Sequence, residues 1–248
     1  MQASAPPLGL VGKGVAVTVD ATVANLGPDG PVDADVTQTV NASSGTTVTP
    51  TSSTNDVDGL AVGSPASVHN SYSVSCDTPG HKTVTFTTSV APEAGNVVDA
   101  VATNNSKSAT VSIDCAVPIT LNVKPGSARN PVSLDERAIP MAALTTRAGE
   151  YGNPLAFNAA LIDPASVRIG PRDSVVAGQG VPEMHGKVHL EDSLEMDETT
   201  HDGDLDGVLH ADGRQIPVQR STTELCVRGT FGASHSTFFG CDHVEVVP

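Results

Sequence analysis

The clearest pattern at the start of the chain is an alternation of apolar and polar residues, which is typical of half-buried β-strands. Residues 12–40 place apolar side chains at every second position, and the series is Val15, Val17, Val19, Ala21, Val23 and, after a shift, Leu26. Residues 25–30 read NLGPDG, a cluster of turn-forming residues. Further strand-like runs bounded by Gly, Pro or Asn cover 67–76, 82–90 and 106–115. Roughly six or seven short strands in about 100 residues predict a β-sandwich.

Composition supports an all-β fold. Aromatic residues make up 3% of the 248 residues, with no Trp, two Tyr and five Phe. The core must therefore be built mainly from Val, Ala, Leu, Ile and Thr, and β-branched side chains pack well on a pleated sheet. The 23 Gly and 18 Pro supply many turns.

The first part of the chain also resembles a known family. The segments VTVDATVANLGPDGPVDADV and PGHKTVTFTTSV, followed by Asn104-Asn105-Ser106 before a last strand, resemble the immunoglobulin-like adhesion-related repeats of bacterial surface proteins. The resemblance covers about residues 12–115. It implies an immunoglobulin-like spacer or adhesion module rather than a catalyst.

The second part resembles a recurrent exported bacterial module over residues 119–247. The matching segments are ITLNVKPGSARNPVSLDERAIPMAAL, LIDPASVRIGP, HLED, HDGDLDGVLH, ELCVRGTF and FFGCDHVEVV. The resemblance implies an opening strand with Lys-Pro-Gly-Ser, an Asp-rich calcium-type loop and a closing hairpin. The chain departs from that module by extra residues at 193–201.

These patterns predict two β-sandwich-like domains in tandem. The predicted divisions are an N-terminal arm at 1–11, an immunoglobulin-like sandwich at 12–117 and a β-rich domain with an acidic calcium-binding loop at 118–248.

Four cysteines allow three pairings. If Ala233 and Ser234 form a two-residue hairpin loop, Cys226 lies directly opposite Cys241, at a distance that a disulfide can bridge. Cys76 and Cys115 each end a predicted strand and form the second expected pair. The alternative is four reduced thiols in a cytosolic protein. The absence of Cys-x-x-Cys spacing disfavours a cysteine zinc site.

The formal net charge is −15, from 13 basic and 28 acidic residues. Such a surface disfavours nucleic acid and an electrostatic membrane anchor, both of which need clustered Lys and Arg. It suits cations, although plain solubility is the simpler interpretation. No stretch reaches the roughly 20 apolar residues of a membrane span, so no membrane insertion is expected. Met1–Ser4 does not read as a signal peptide, so either a signal was removed or the first residues are not native. The expected disulfides predict a secreted protein of a bacterial surface.

An acidic window at 183–212 carries the predicted metal site. Asp202, Asp204 and Asp206 alternate with Gly or Leu, as in the opening of a calcium loop, where alternate carboxylates converge on the ion. The residues predicted to complete the calcium shell are Glu191, Asp192 and Asp197. A solvated acidic loop is the alternative. Weaker candidate pairs in the first domain are Asp33 with Asp35 and Asp56 with Asp58.

The same window contains four of the eight histidines, at His185, His189, His201 and His210. The spacing of His185 and His189 could chelate zinc on a helix, and a metal-dependent hydrolase using 183–212 is therefore an alternative function. Gly186 weakens such a helix, and no Glu follows His185 as metalloproteases require. A carbohydrate-binding accessory module is a further alternative, which the lack of Trp disfavours. We expect no enzymatic activity.

Self-association is the last expectation. Sandwich edges can pair with other chains. The uncharged segment MQASAPPLGLVG would leave Leu8, Leu10 and Val11 exposed as an apolar arm, able to join a neighbouring copy into a filament. Calcium would neutralise the charge that opposes such assembly.

Overall fold

The computed structural model describes residues 1–93, 99–133 and 135–247, and nearly all of its regular structure is β-sheet. The all-β class predicted from the sequence is confirmed. The chain forms two compact units, Met1–Asp114 and Cys115–Pro248. The division therefore falls slightly before the predicted boundary at 117.

The first unit is an immunoglobulin-like sandwich of two antiparallel sheets. Its strands are β1 (Gln2–Ser4), β2 (Leu8–Leu10), β3 (Gly14–Ala24), β4 (Val32–Ala42), β5 (Thr46–Thr49), β6 (Ser52–Leu60), β7 (Pro65–Cys76), β8 (Gly80–Pro92) and β9 (Ser106–Pro118, which ends in the second unit), with a 3-10 turn at Ala102–Asn104. One sheet has the order β1-β3-β7-β5. The other has the order β9-β8-β4-β6, and β2 also pairs with β9.

The alternation in the sequence accounts for the core of this unit. Along β3, Val17 and Val19 are fully buried, and the buried positions continue without a shift to Val23. Leu26 is 78% exposed, so its inclusion in the apolar series was wrong. At that point the chain has left β3 for the predicted turn, where the backbone N–H of Gly27 donates to Asn25 Oδ1 at 2.9 Å.

The predicted N-terminal arm is part of this sandwich. β1 pairs with β3 and β2 pairs with β9, so both strands are used within the first unit. Leu8 and Val11 are buried, and the backbone N–H of Gly12 donates to the carbonyl of Cys76 at 2.9 Å. The expectation of a free apolar arm is therefore wrong. Self-association stays a prediction, but an exposed apolar N-terminal arm no longer supports it.

The second unit is also built on two main sheets. Its strands are β10 (Leu121–Val123), β11 (Pro131–Ser133), β12 (Ile139–Ala143), β13 (Ile162–Gly170), β14 (His189–Glu191), β15 (Asp206–Ala211), β16 (Glu224–Phe231), β17 (Ser236–His243) and β18 (Glu245–Val247). A short helix, α1 (Arg172–Val176), and 3-10 turns at Glu150–Gly152 and Ala159–Leu161 complete it. One sheet has the order β10-β12-β15-β14, and β13-β16-β17 form the other. β11 and β18 form a separate parallel pair.

Apolar residues of both main sheets enclose the core of the second unit. The fully buried members include Ile139, Met141 and Leu209 from the first sheet and Val227 and Phe238 from the second. Leu209 and Ala211 hold β15 in this core, and β14 is held in turn by its pairing with β15.

The disulfides belong to regular strands. Cys226 of β16 lies opposite Cys241 of β17, in the register predicted from the sequence, and the two form a disulfide with a Cα–Cα distance of 4.0 Å. Cys76 and Cys115 are also disulfide-bonded. Among the described residues, no helix is both long enough and apolar enough to cross a membrane.

Candidate metal sites

Asp206 was predicted as a calcium ligand, but the structure gives it a different role. Its side chain is fully buried at the start of β15. Its two oxygens accept backbone N–H donors, Thr145 at 2.7 Å and Ser193 at 3.1 Å. Burial raises the pKa of Asp206 to about 6, although these hydrogen bonds act in the opposite direction. Asp206 therefore ties two loops to the sheet and has little oxygen left for an ion.

The Asp206 hydrogen bonds lead to a stability prediction. Asp206→Asn replaces one acceptor oxygen with an NH₂ group, so one buried N–H donor loses its partner. Such a loss costs about 1–3 kcal/mol, and we expect urea unfolding to show it equally with and without calcium. A loss that appears only when calcium is present would mean that Asp206 is a ligand after all.

Asp197 is also engaged within its own loop. Its Oδ1 accepts the backbone N–H groups of Thr199 and Thr200, both at 2.9 Å, and its Oδ2 accepts the Thr200 hydroxyl at 2.8 Å. These bonds lower the pKa of Asp197. Glu191 lies opposite Asp206 on β14 with its side chain exposed. The structure does not bring the six predicted ligands together.

Asp202 and Asp204 do remain available at one edge of the unit. The backbone N–H of Asp204 donates to Asp202 Oδ1 at 3.0 Å, and Gly203 between them adopts the left-handed conformation (φ +91°) that suits glycine. Burial, followed by the charge of Asp202, raises the pKa of Asp204 to about 6. Within the described chain, Asp204 Oδ1 is buried and has no hydrogen-bond partner.

Glu195 is the neighbour that sequence reasoning missed. It is 7% exposed, and its Oε2 accepts the Tyr151 hydroxyl at 2.5 Å. Its Oε1 is buried and, among the residues that the structure describes, meets no hydrogen-bond donor. Burial raises the pKa of Glu195, and nearby carboxylates add to the effect. We call this group the acidic cluster, and it consists of Glu150, Asp192, Glu195, Asp202 and Asp204.

The extra segment at 193–201 is what places Glu195 in the acidic cluster. Asn122, buried in β10, donates through its side-chain amide to the carbonyl of Leu194 at 3.0 Å. Glu198 Oε2 accepts the backbone N–H of Gly126 at 2.6 Å. These contacts anchor the segment beside β10. Glu195 lies in the acidic window of the sequence. Its hydrogen bond with Tyr151, 44 residues earlier, could not be inferred from the spacing of residues in that window.

Among the described residues, three groups of metal-capable side chains bring their ligand atoms within 4.8 Å of one another. None of these groups includes Asp202, Asp204 or Asp206. Neighbouring carboxylates of the acidic cluster help to raise the pKa of Glu195 and Asp204, but the oxygens of the cluster have not converged as tightly as a calcium shell requires.

One of the three groups joins the weaker acidic pairs of the first unit. Asp35 of β4 lies opposite Asp56 of β6, and both carboxylates meet that of Glu93. Asp33 is not a member of this group, and its Oδ1 accepts the backbone N–H of Gly59 at 2.6 Å. Asp56 and Glu93 are exposed and Asp35 is partly exposed.

A second group contains the histidines His185, His189 and His210. The helix that would space His185 and His189 for zinc, which Gly186 disfavoured, is absent from this described segment, since His189 lies in β14 and His185 in the preceding loop. Burial, followed by the charges of the other two histidines, lowers the pKa of His210. His201, the fourth histidine of the window, instead contacts the carbonyl of Asp192 through Nδ1 at 2.8 Å.

Comparison with known proteins gives similarity at the level of architecture. No family model matches the chain, and no curated protein sequence matches it. Similar solved structures include the D0-D1 domain of intimin, at 14% identity over 99% of this chain and 97% of that one, with a TM-score of 0.28. The C-terminal domain of the Streptococcus agalactiae AgI/II polypeptide BspA is 8% identical over 100% and 99% of the chains, with a TM-score of 0.31. CBD12 from CALX1.2 is 11% identical over 95% and 83%, with a TM-score of 0.28.

At these identities and TM-scores the similarity carries no argument about function. Any functional assignment must therefore rest on the chain's own side chains.

Proposed function

We propose that this chain is an extracellular structural or adhesive protein without enzymatic activity, stabilised by calcium bound at the acidic cluster. The observation that carries the proposal is the pair of buried carboxylate oxygens, Glu195 Oε1 and Asp204 Oδ1, which lack hydrogen-bond partners in the described chain. A buried carboxylate without a partner is costly unless it is protonated or bound to a cation. Calcium would remove that cost.

The surrounding charge supports a cation in preference to protein partners. The acidic cluster holds five carboxylates, and within the described residues Asp192 forms an ion pair with His201, at 3.7 Å. Carboxylate and Tyr oxygens are hard donors, and calcium takes 6–8 such ligands at about 2.3–2.6 Å in a flexible shell. Movement of the exposed side chains of Asp192 and Asp202 towards Glu195 would bring further carboxylate oxygens to such an ion.

The two disulfides support the extracellular assignment. Disulfides persist in oxidising compartments and are rare in the cytosol. Extracellular fluids also supply calcium at the millimolar concentrations that weak extracellular calcium modules need. A sandwich scaffold with calcium at a loop suits a spacer or adhesive role, in which stability and orientation matter more than chemistry.

Calcium should raise the melting temperature of the second unit. Extracellular calcium modules bind with a Kd of about 10⁻⁴–10⁻³ M, so about 10 mM calcium adds roughly 1.4–2.7 kcal/mol of stability. This corresponds to a rise of roughly 3–10 °C in a chain of this size. Differential scanning calorimetry with and without calcium measures it, against sodium chloride of matched ionic strength to remove simple screening.

Three variants show which carboxylates bind the calcium that raises the melting temperature. Glu195→Gln combined with Asp204→Asn should abolish the calcium shift while leaving the calcium-free protein equally or more stable, because it removes buried charge. Asp173→Asn, a carboxylate in α1 outside the acidic cluster, should keep the full shift. Asp56→Asn combined with Glu93→Gln tests the first-unit group. If this last variant alone loses the shift, calcium binds in the first unit and the assignment to the acidic cluster is wrong.

A further inference from the structure

Three imidazole rings converge beside β14 and β15, apart from the acidic cluster. His189 Nε2 lies 3.3 Å from His185 Nδ1. The ring centroids of His185, His189 and His210 are separated by 4.9–5.5 Å. One nitrogen from each ring lies within 4.8 Å of the nitrogens of the other two. We call this group the histidine cluster.

The sheet itself holds two of these rings side by side. His189 lies opposite Val208 in the antiparallel pair of β14 and β15. Side chains two positions apart on a strand share a face, so His210 is the diagonal neighbour of His189 on that face. Both positions are therefore set by the pairing of β14 with β15.

The third ring is positioned by a buried carboxylate. The side chain of Glu183 is 0% exposed. Its Oε2 accepts the backbone N–H groups of His185 at 2.7 Å and Lys187 at 3.1 Å, while its Oε1 accepts that of His210 at 3.2 Å. Glu183 Oε1 also lies 3.6 Å from His185 Nδ1. Glu183 therefore fixes the backbone at His185 and His210, and so the positions from which both rings extend.

A second observation points to a ligand at this place. Within the described residues, His210 Nδ1 is buried and has no hydrogen-bond partner. Buried polar atoms nearly always find a partner, so such an atom calls for an explanation such as an ion or a water. Because the neighbouring rings offer nitrogen donors at short range, an ion would satisfy all three rings at once.

We propose that His185, His189 and His210 bind a divalent transition-metal ion of the zinc class. Two nitrogens at about 2.0–2.1 Å from a tetrahedral zinc lie about 3.3 Å apart, which is the separation seen between His185 and His189. Imidazole nitrogen suits zinc, copper and nickel, whereas calcium requires oxygen. Three protein ligands leave the fourth position of the ion open to water or to a ligand from another molecule. The site is thus chemically distinct from the calcium site and does not depend on it.

Isothermal titration calorimetry of the protein with zinc chloride, in a buffer that contains millimolar calcium, tests this proposal. We expect heat of zinc binding with a stoichiometry near one zinc ion per chain. His185→Gln and His189→Gln should each weaken it by at least roughly 100-fold, since each removes a direct ligand. Cobalt(II) in place of zinc should give a visible absorption band that disappears in both variants.

His201→Gln is the matched control, because His201 belongs to the same sequence window but contacts Asp192 instead. The His201→Gln variant should keep both the heat of zinc binding and the cobalt absorption band. His185 is exposed, so its variant should fold even if a variant inside the sheet does not. Absence of zinc binding in the unaltered protein, or equal binding in His185→Gln, would overturn the proposal.

Discussion

Phe238→Ala should lower the free energy of unfolding of the second unit by about 3–5 kcal/mol, the range for removing a buried Phe from a protein core. Phe238 is fully buried in β17. Its ring centroid lies 5.4 Å from that of Phe157 and 6.2 Å from that of Phe231. In a chain with five Phe and no Trp, this aromatic group is a large share of the available apolar volume. The truncation would leave a cavity between the two sheets.

The same strand offers the control for this prediction. Thr237 is adjacent to Phe238 but only partly buried, so Thr237→Ala should change stability by no more than about 0.5 kcal/mol. Phe238→Leu should fall between the two variants because it keeps most of the volume. Denaturant unfolding monitored by circular dichroism measures all three. A cost for Phe238→Ala no greater than that of Thr237→Ala would mean that the two sheets do not pack around this ring.

Removing the disulfide between Cys226 and Cys241 should cost about 3 kcal/mol, because the bridge closes a loop of about 15 residues and so restricts the unfolded chain. The sequence separation is 15. The double variant Cys226→Ala with Cys241→Ala measures this cost without leaving a free thiol. The hairpin register should survive, since eight residue pairs join β16 and β17 in the ladder.

The control is the single variant Cys226→Ala under reducing conditions, compared with the reduced parent protein. The two should differ by much less than the oxidised parent differs from the double variant. Equal stability of the oxidised parent and the double variant would show that the bridge contributes nothing to folding.

The strands were largely predictable from the sequence because one face of each is buried. β3 shows this clearly, since Val17, Val19, Ala21 and Val23 recur at every second position and are all buried. The N-terminal segment was misjudged for a related reason. β1 and β2 are three residues each, too short for alternation to appear, and β2 pairs with β9, a strand that begins only at Ser106.

The candidate sites were predictable only in part. The acidic window could be recognised by composition, and it does contain Asp202, Asp204 and Glu195. The sequence could not reveal that Asp206 turns inward to accept two backbone donors. Alternation of Asp residues is shared by a calcium loop and by the first residues of a strand, and the start of β15 at Asp206 decides between them. Likewise, the meeting of His210 with His185 and His189 depends on the pairing of β14 with β15.

The most direct measurement of the calcium proposal is an anomalous difference map from crystals grown with terbium(III), an oxygen-seeking substitute for calcium. We predict a peak about 2.3–2.6 Å from Glu195 Oε1 and Asp204 Oδ1, the distance range of calcium–oxygen ligation. The side chain of Asp202 or Asp192 should be turned towards this peak. Asp206 should still accept the backbone N–H groups of Thr145 and Ser193. A map with no peak at the acidic cluster, in crystals where terbium occupies Asp35, Asp56 and Glu93 or no site at all, would contradict it.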